Sequence, residues 1–320
     1  MNKSIVNKYK PTGINDFHFK GDITRFIDKY IKLNKIKLLL IGDHSSGKTS
    51  LINVIIKQYF KGLPQESINE NILLVNPLQE QGISYYRSDI KIFCQTYCTI
   101  KDRKKMIIMD DFDLIHEQSQ QVFRSLIDKY ENNINFIVST SNIYKIIDSI
   151  QSRLITIRLP NINFVSLKNI CKNIVKKEKI EITDDSVDKF ISICDNNIQL
   201  MLQYLEGFRL INRKIDNRII NEVCSHINHS ILEKYFICLK NQELKEASNI
   251  LMKLHKEGFN VMDILDAIFN FIKLTDLLNE KIKYKLIKYL CKFITIFHEI
   301  HEDEIELLFF TNNIIHLFKE

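Results

Sequence analysis

The chain has 320 residues, of which 45% are hydrophobic and 26% charged, and its formal net charge is +6. With 8 Gly and 4 Pro, this composition excludes a disordered or low-complexity protein and allows two or three packed domains. No apolar run approaches the roughly 20 residues of a membrane span, and residues 1–10 lack the apolar centre of a signal peptide, so we expect no membrane association. The positive charge suits a nucleic-acid partner but does not establish one.

The seven cysteines are scattered along the chain. Cys94 and Cys98 are four residues apart, but no second pair and no nearby histidine accompanies them. This pattern predicts reduced thiols in a reducing, intracellular compartment and argues against a zinc site.

The strongest motif lies between an apolar run, Leu38–Ile41, and a helical pattern over residues 49–57. Residues 42–49 fit G-x-x-x-x-G-K-[ST] at every fixed position, and a strand before and a helix after are the context that a P-loop requires. Gly42 and Gly47 would let backbone N–H groups point at phosphate oxygens, Lys48 would reach the β- and γ-phosphates, and the Thr49 hydroxyl would bind Mg²⁺. The alternative is an accidental match in an ordinary strand-to-helix turn.

A short basic segment precedes this motif. Tyr9 lies between Lys8 and Lys10, where a ring and two cations could meet a base and phosphates, or could form a solvated terminus. The predicted ATP-binding residues are Gly42, Asp43, His44, Ser45, Ser46, Gly47, Lys48, Thr49 and Ser50, together with Tyr9 and Lys10.

Residues 72–76 predict a second strand, and apolar residues recur at helical spacing over residues 82–98. Arg87 and Lys91 lie on another face of that predicted helix. Such cations are usually a solvated face, although in a DNA-binding ring they could line the hole.

A second strong motif follows at residues 106–111, where four apolar residues lead into two acids. The carboxyl end of a strand is where open α/β sheets bind ligands. Asp110 would hold Mg²⁺ through water, and Asp111 would orient or deprotonate the attacking water. Asn142, after the predicted strand 135–140, could bond the water or the γ-phosphate, although asparagine is also common in turns.

The remainder of the chain is mostly helical. A helix is predicted over residues 119–130 and a strand over residues 154–159, after which Pro160 breaks the pattern. We predict a nucleotide-binding core over residues 1–160, a helical lid over 161–228 and a helical collar over 229–320.

These motifs together resemble the small subunits of replication factor C, the sliding-clamp loader of the AAA+ ATPases. Residues 7–11 (NKYKP) are similar to the family's E-K-Y-R-P element, and residues 110–113 (DDFD) stand where the family has D-E-A-D. Residues 141–153 resemble its T-N-x-x-x-K-I-I-x-x-x-Q-S-R run, and residues 257–259 (EGF) resemble the E-G-Y of its collar. The order and spacing of these elements carry the resemblance over nearly the whole chain.

The resemblance implies an α/β fold, namely an AAA+ P-loop core with a parallel sheet, followed by a helical lid and an all-α collar domain. It also implies ATP and Mg²⁺ as cofactors, and as partners the other subunits of a hetero-pentamer, a sliding clamp and a primed DNA junction. Arg153 corresponds to the arginine finger that acts on a neighbour's nucleotide, and Arg87 and Lys91 would face DNA. The expected location is nuclear or, if the protein is viral, a cytoplasmic replication compartment.

Two departures from the family pattern leave alternatives open. Asp111 replaces the catalytic glutamate, and Gln199 stands where the lid has an arginine. The chain could therefore be a structural subunit that binds ATP and scarcely hydrolyses it. Another AAA+ protein of DNA metabolism, such as a Holliday-junction motor or an origin factor, is a third reading, against which Ser152-Arg153 and the collar argue.

Overall fold

The computed structural model describes residues 4–17, 19, 21–77, 82–194, 196–211, 213–224, 227, 229–275, 277–299 and 303–318. The chain forms two compact units, Met1–Val223 and Cys224–Glu320. The predicted division of the first unit at residue 160 stays a prediction. Among the described helices, none combines the length and apolarity that crossing a membrane requires.

The first unit contains a parallel sheet, as predicted. Its strands lie in the order β2-β3-β4-β1-β5, so that β1 pairs with both β4 and β5. The described strands are β1 (Lys37–Ile41), β2 (Ile72–Val75), β3 (Lys105–Met109), β4 (Ile134–Thr140) and β5 (Ile155–Arg158).

Helices cover both faces of this sheet. The helices of the first unit are α1 (Ile5–Lys8), α2 (Gly21–Lys32), α3 (Lys48–Tyr59), α4 (Gln65–Glu70), α5 (Ile83–Arg87), α6 (Asp89–Gln95), α7 (Glu117–Tyr130), α8 (Asp148–Gln151), α9 (Phe164–Glu178), α10 (Asp184–Ile193), α11 (Ile198–Ile211) and α12 (Asn217–Val223).

Alternate residues of β1 enter different cores. Leu38 and Leu40 pack with side chains of α2 and α3, whereas Leu39 packs with side chains of α5, α6 and α7. Successive side chains of a strand point to opposite faces, so a strand buried on both sides reads as a continuous apolar run. This explains the sequence LLLI immediately before the P-loop.

The prediction of one continuous helix over residues 82–98 is wrong, because two helices, α5 and α6, occupy this stretch. The break lies at Ser88, whose hydroxyl oxygen lies 2.8 Å from the Ser84 carbonyl oxygen and 2.9 Å from Asp89 Oδ2, both of which are acceptors for its one proton. A serine that bonds back to the carbonyl four residues earlier bends a helix. Apolar spacing alone does not reveal this competition.

The described residues of the second unit are almost entirely helical, as predicted. Its core contains Tyr235, Phe236, Phe271 and Phe310, and the rings of Phe236 and Phe271 stack at 5.0 Å. Gly258, at φ +102°, makes the predicted turn. The helices are α13 (His229–Lys240), α14 (Leu244–Lys256), α15 (Val261–Leu274), α16 (Glu280–Glu299) and α17 (Glu304–Leu317).

Candidate functional site

The predicted nucleotide residues gather at the carboxyl edge of the sheet. The P-loop follows β1, two acids follow β3, and Ser141-Asn142 follows β4. Since these three strands are parallel neighbours, their carboxyl ends meet at one edge.

The P-loop backbone is shaped by close approach. Gly47 has φ +89°, a conformation that other residues rarely adopt, and a Cβ at Gly42 would lie 2.5 Å from Ser46 Oγ. Lys48, whose side chain is buried within the loop, donates to the carbonyl oxygens of Gly42 at 2.7 Å and Asp43 at 3.0 Å. The loop is thus folded tightly around a single ammonium group.

This loop fits a phosphate group. Its amide groups lead into α3, which begins at Lys48, and a helix N-terminus attracts anions. Ser46 Oγ is buried and has no hydrogen-bond partner among the described residues. An unpaired buried hydroxyl is costly to leave unsatisfied, so a polar ligand here would remove that cost.

Thr49 and Asp110, the two residues of the magnesium prediction, are in direct contact. Thr49 Oγ1 donates to Asp110 Oδ2 at 2.6 Å, although the residues are 61 positions apart. The Ser139 hydroxyl, from β4, donates to the other oxygen of Asp110. Hydroxyl and carboxylate oxygens are the ligands that Mg²⁺ prefers, so this donor set fits that ion.

Asp111 occupies a sharp turn after β3. Its φ is 52°, a region in which aspartate and asparagine are enriched among non-glycine residues. Its backbone N–H donates to Ser139 Oγ at 3.1 Å. Burial, followed by the adjacent charge of Asp110, raises the pKa of Asp111 above its usual value. A carboxylate of raised pKa beside a P-loop is suited to accept a proton.

Asp113 connects the turn after β3 to the end of β4. Its Oδ1 accepts hydrogen bonds from Thr140 Oγ1 at 3.1 Å and from the Ser141 N–H at 3.3 Å, and its Oδ2 accepts one from Ser141 Oγ at 2.8 Å. Burial alone would raise the pKa of Asp113, but the hydrogen bonds from Ser141 and Thr140 outweigh burial and lower it. Asn142 lies beside this contact, and its side-chain oxygen accepts a bond from the Tyr144 N–H at 3.0 Å.

The segment that precedes the P-loop lies against α9 and α11. Tyr9 Oη donates to Glu178 Oε1 at 2.6 Å, and Lys8 Nζ pairs with the same oxygen at 2.7 Å. Arg209 pairs with the other oxygen of Glu178 at 3.5 Å. Burial, followed by the hydrogen bond to Glu178, raises the pKa of Tyr9 to about 12, and Lys10 is exposed.

Arg153, two residues after the end of α8, makes its hydrogen bonds with residues outside this group. Its Nε donates to Asp128 Oδ1 at 2.5 Å, and its Nη1 donates to the Ser149 carbonyl at 2.6 Å. The bond from Arg153 lowers the pKa of Asp128. The guanidinium is therefore held by groups of its own chain.

Arg87 and Lys91 share a cavity between α5, α6 and α7. The cavity measures about 410 Å³, and Lys129 and the buried ring of Tyr86 also line it. Both predicted DNA-binding cations are exposed. The structure thus brings three cations to one concave surface.

A second cavity, of about 440 Å³, lies beside the P-loop and is lined by residues of the ends of β1, β4 and β5. Asn161, which lines it, donates from Nδ2 to Asp43 Oδ2 at 2.6 Å and so connects the P-loop to the chain after β5. Tyr144, at 95% exposure, lies at its rim.

Sequence reasoning missed several of these residues. Asp113 carried a signal, because it is a third acid within four residues of a predicted strand end. Glu178 carried none, since its partner Lys8 is 170 positions away. Ser139 lay within a predicted strand, and the sequence did not indicate that its hydroxyl would donate to Asp110.

The chain is similar to several known proteins. Residues 38–161 match the family described as "ATPase family associated with various cellular activities (AAA)". The chain is 26% identical to human replication factor C subunit 5 over 273 residues, which cover 85% of this chain and 79% of that protein. It is 25% identical to the replication factor C small subunit of Methanococcus vannielii over 290 residues, which cover 90% of each.

A solved structure, the Thermotoga maritima RuvB Holliday junction branch migration motor, is similar with a TM-score of 0.53. The similarity covers 70% of this chain and 78% of that one at 14% sequence identity. At this identity the likeness concerns the fold alone.

Proposed function

We propose that this chain, whose residues 38–161 match the AAA ATPase family and which resembles replication factor C small subunits over most of its length, is a small subunit of a sliding-clamp loader. It uses ATP binding and hydrolysis, within a multi-subunit complex, to open a clamp and load it onto primed DNA. The observation that carries the proposal is the meeting of Thr49 and Asp110 beside Lys48, since that arrangement joins both nucleotide motifs at one edge of the sheet.

The nucleotide site has a defined set of roles. The P-loop amides and Lys48 bind the phosphates, and phosphate oxygens take the place of the carbonyls to which Lys48 now donates. Thr49 binds Mg²⁺ directly and Asp110 binds it through water. Asp111 orients or deprotonates the attacking water, and Asp113 fixes the end of β4 that carries Asn142.

The remaining roles lie between subunits and on DNA. Arg153 acts on the nucleotide of a neighbouring subunit, where a guanidinium stabilises the charge of the transition state. Arg87 and Lys91 contact DNA phosphates, which carry no sequence information. The site of action is wherever primed DNA is replicated, either a nucleus or a viral replication compartment.

A second candidate is a structural subunit of the same complex that binds ATP and hydrolyses it weakly. Asp111 is one methylene shorter than glutamate, so its carboxylate lies further from the attacking water. Gln199 is neutral and exposed, so it does not offset the charge of the γ-phosphate as an arginine would. In this case Arg153 still serves a neighbour, while the site around Lys48 contributes mainly to assembly.

Co-expression of the full chain with candidate clamp-loader subunits, followed by ATPase assays with a sliding clamp and primed DNA, tests the proposal. We expect a stable assembly whose ATP turnover rises with clamp and DNA, and little turnover by the chain alone. Lys48→Ala removes the cation of the loop and should abolish nucleotide binding by this chain in titration calorimetry. Unchanged binding would refute the P-loop assignment, and failure to assemble would refute the clamp-loader assignment.

Two variants of that assembly separate the candidates. If this chain's own site is weak, Arg153→Ala reduces stimulated turnover more than Asp111→Ala does, because the finger acts on an intact neighbouring site. If Asp111→Ala is the more damaging, the site around Lys48 is a full catalyst and the second candidate is wrong.

A further inference from the structure

Asp128, a residue of α7 that no motif singles out, holds the guanidinium of Arg153. Its Oδ1 accepts a hydrogen bond from Arg153 Nε at 2.5 Å. The Ser149 carbonyl accepts a second bond, from Nη1, at 2.6 Å. Two anchors on different atoms of a planar group fix both its position and the orientation of its plane.

The carboxylate is itself held in place. Its second oxygen lies 3.7 Å from Nε of Arg124, one helical turn earlier on α7. Asp128 is therefore flanked by two cations, with Arg153 on one oxygen and Arg124 on the other.

This ion pair lies in partly exposed surroundings. The side chain of Asp128 is 45% exposed and that of Arg153 is 29% exposed. Pairs at such positions contribute little to folding stability. Its main physical effect is to restrict a long side chain that would otherwise sample many rotamers, which reduces the entropy lost when the guanidinium meets a ligand.

The two bonds occupy the Nε–H and one N–H of Nη1, so three of the five N–H donors of the guanidinium remain. Within the described part of the chain, Nε and Nη1 are the atoms that donate, and Nη2 donates to no residue. A guanidinium recognises phosphate oxygens with two parallel N–H groups. The N–H groups of Nη2 and the second N–H of Nη1 remain for such a contact.

We propose that Asp128 is a positioning residue for Arg153, which it holds so that the Nη edge faces the γ-phosphate bound by a neighbouring subunit. This inference rests on the proposed function, because it requires a neighbour whose nucleotide Arg153 meets. Asp128 thus acts on hydrolysis in another chain without touching the nucleotide.

The test uses the full chain in the co-expressed clamp-loader assembly, with ATP, a clamp and primed DNA. Asp128→Ala should reduce kcat about tenfold, since a misplacement near 1 Å can cost more than that, and leave KM for ATP unchanged. Asp128→Asn, which keeps an oxygen acceptor, should restore most of the turnover. In an Arg153→Ala background, Asp128→Ala should have no further effect.

Glu131→Ala is the matched control. Glu131, one residue beyond the end of α7, is 47% exposed and pairs with Lys37, so its replacement also breaks a partly exposed ion pair. It should leave kcat unchanged, and its melting temperature should match that of Asp128→Ala.

Four results would overturn the inference while Arg153→Ala remains damaging: unchanged kcat in Asp128→Ala, raised kcat, a change in KM alone, or full additivity with Arg153→Ala. Raised kcat would mean that Asp128 competes with the phosphate for the guanidinium. If Arg153→Ala itself has no effect, the finger assignment of the proposed function fails, which is a distinguishable outcome.

Discussion

The acids that follow β3 differ in their surroundings, although they are close in sequence. Asp110 accepts bonds from two hydroxyls, and Asp111 lies beside that charge in a turn of positive φ. Asp113 accepts one bond from Thr140, the last residue of β4, and two from Ser141, which follows it. The pKa of Asp111 is raised and that of Asp113 is lowered, so one is suited to exchange a proton and the other to remain charged.

Asp113→Asn should destabilise the first unit by about 1–3 kcal/mol at neutral pH, because it removes charge-assisted hydrogen bonds from partly buried donors. The pKa of Asp113 is lower in the folded chain than in the unfolded one, so its stabilisation is present above the unfolded value and lost as pH falls through the folded value. The difference between Asp113→Asn and the native chain should therefore shrink below about pH 4.

Urea unfolding, followed at pH 7 and in steps down to pH 3, measures this difference. Asp102→Asn is the control, since Asp102 is exposed and its φ of 60° suits asparagine as well. A penalty for Asp113→Asn that does not change with pH would contradict the charged role of its carboxylate.

At the scale of elements, α1 is a small helix held by distant partners. Ile5 is fully buried, and its backbone N–H donates to Glu206 Oε2 at 2.7 Å. Glu178, whose side chain is 7% exposed, accepts bonds from both Lys8 and Tyr9. A four-residue helix is not stable by itself, so these contacts decide whether it forms.

Glu178→Gln should loosen α1, because it removes the charge that pairs with Lys8 and Arg209. Limited proteolysis should then cleave within residues 4–10 several-fold faster than in the native chain. Tyr9→Phe, which removes one hydrogen bond and keeps the ring, should give a smaller effect in the same direction. Equal cleavage rates in all three proteins would contradict a role for Glu178 in holding α1.

The α5–α6 pair presents cations at the cavity shared with α7. Arg87→Ala and Lys91→Ala should each weaken binding of the assembly to primed DNA about equally for all sequences, and should reduce the slope of log affinity against log salt by about one unit or less. Fluorescence anisotropy at several salt concentrations measures both quantities. Lys57→Ala, an exposed lysine of α3 on the opposite face of the sheet, is the control. A sequence-selective loss would contradict phosphate contact.

At the scale of the whole molecule, the cores of the two units are separate. The buried cluster that contains Tyr235, Phe271 and Phe310 draws its members from residues 227–318 alone. The clusters around the sheet draw theirs from residues 14–159. A unit with its own hydrophobic core can in principle fold alone.

A fragment of residues 224–320 should therefore fold as a helical unit. Circular dichroism should show a helical spectrum with a cooperative thermal transition, and the full chain should show a matching transition. Phe271→Ala, which removes a buried stacked ring, should lower the fragment's stability by about 3–5 kcal/mol. A non-cooperative melt of the native fragment would mean that the first unit is needed for folding.

Sequence patterns predicted the strands and helices of the first unit well, because local sequence determines these elements, as the apolar run LLLI and the fixed spacing of the P-loop show. The contacts that each element makes were not predicted, because they involve residues far away in the chain. Nothing near Glu178 indicates Lys8, and nothing near Asp128 indicates Arg153. The break at Ser88 was missed because a side-chain hydrogen bond, not apolar spacing, decides it.

The position of β1 in the sheet also has a consequence for synthesis of the chain. The partners of Leu38 are Ile137 on one side and Ile155 on the other, whereas β2 and β3 pair with each other at Ile72 and Met106. As the ribosome extends the chain, β1 emerges before either of its neighbours exists, and its backbone N–H and C=O groups have no strand partners until β4 and β5 have followed. Pairings between strands so distant in sequence form slowly, and exposed apolar segments aggregate in the meantime. Chaperones should therefore bind nascent chains that end before residue 155 more strongly than chains that extend beyond β5.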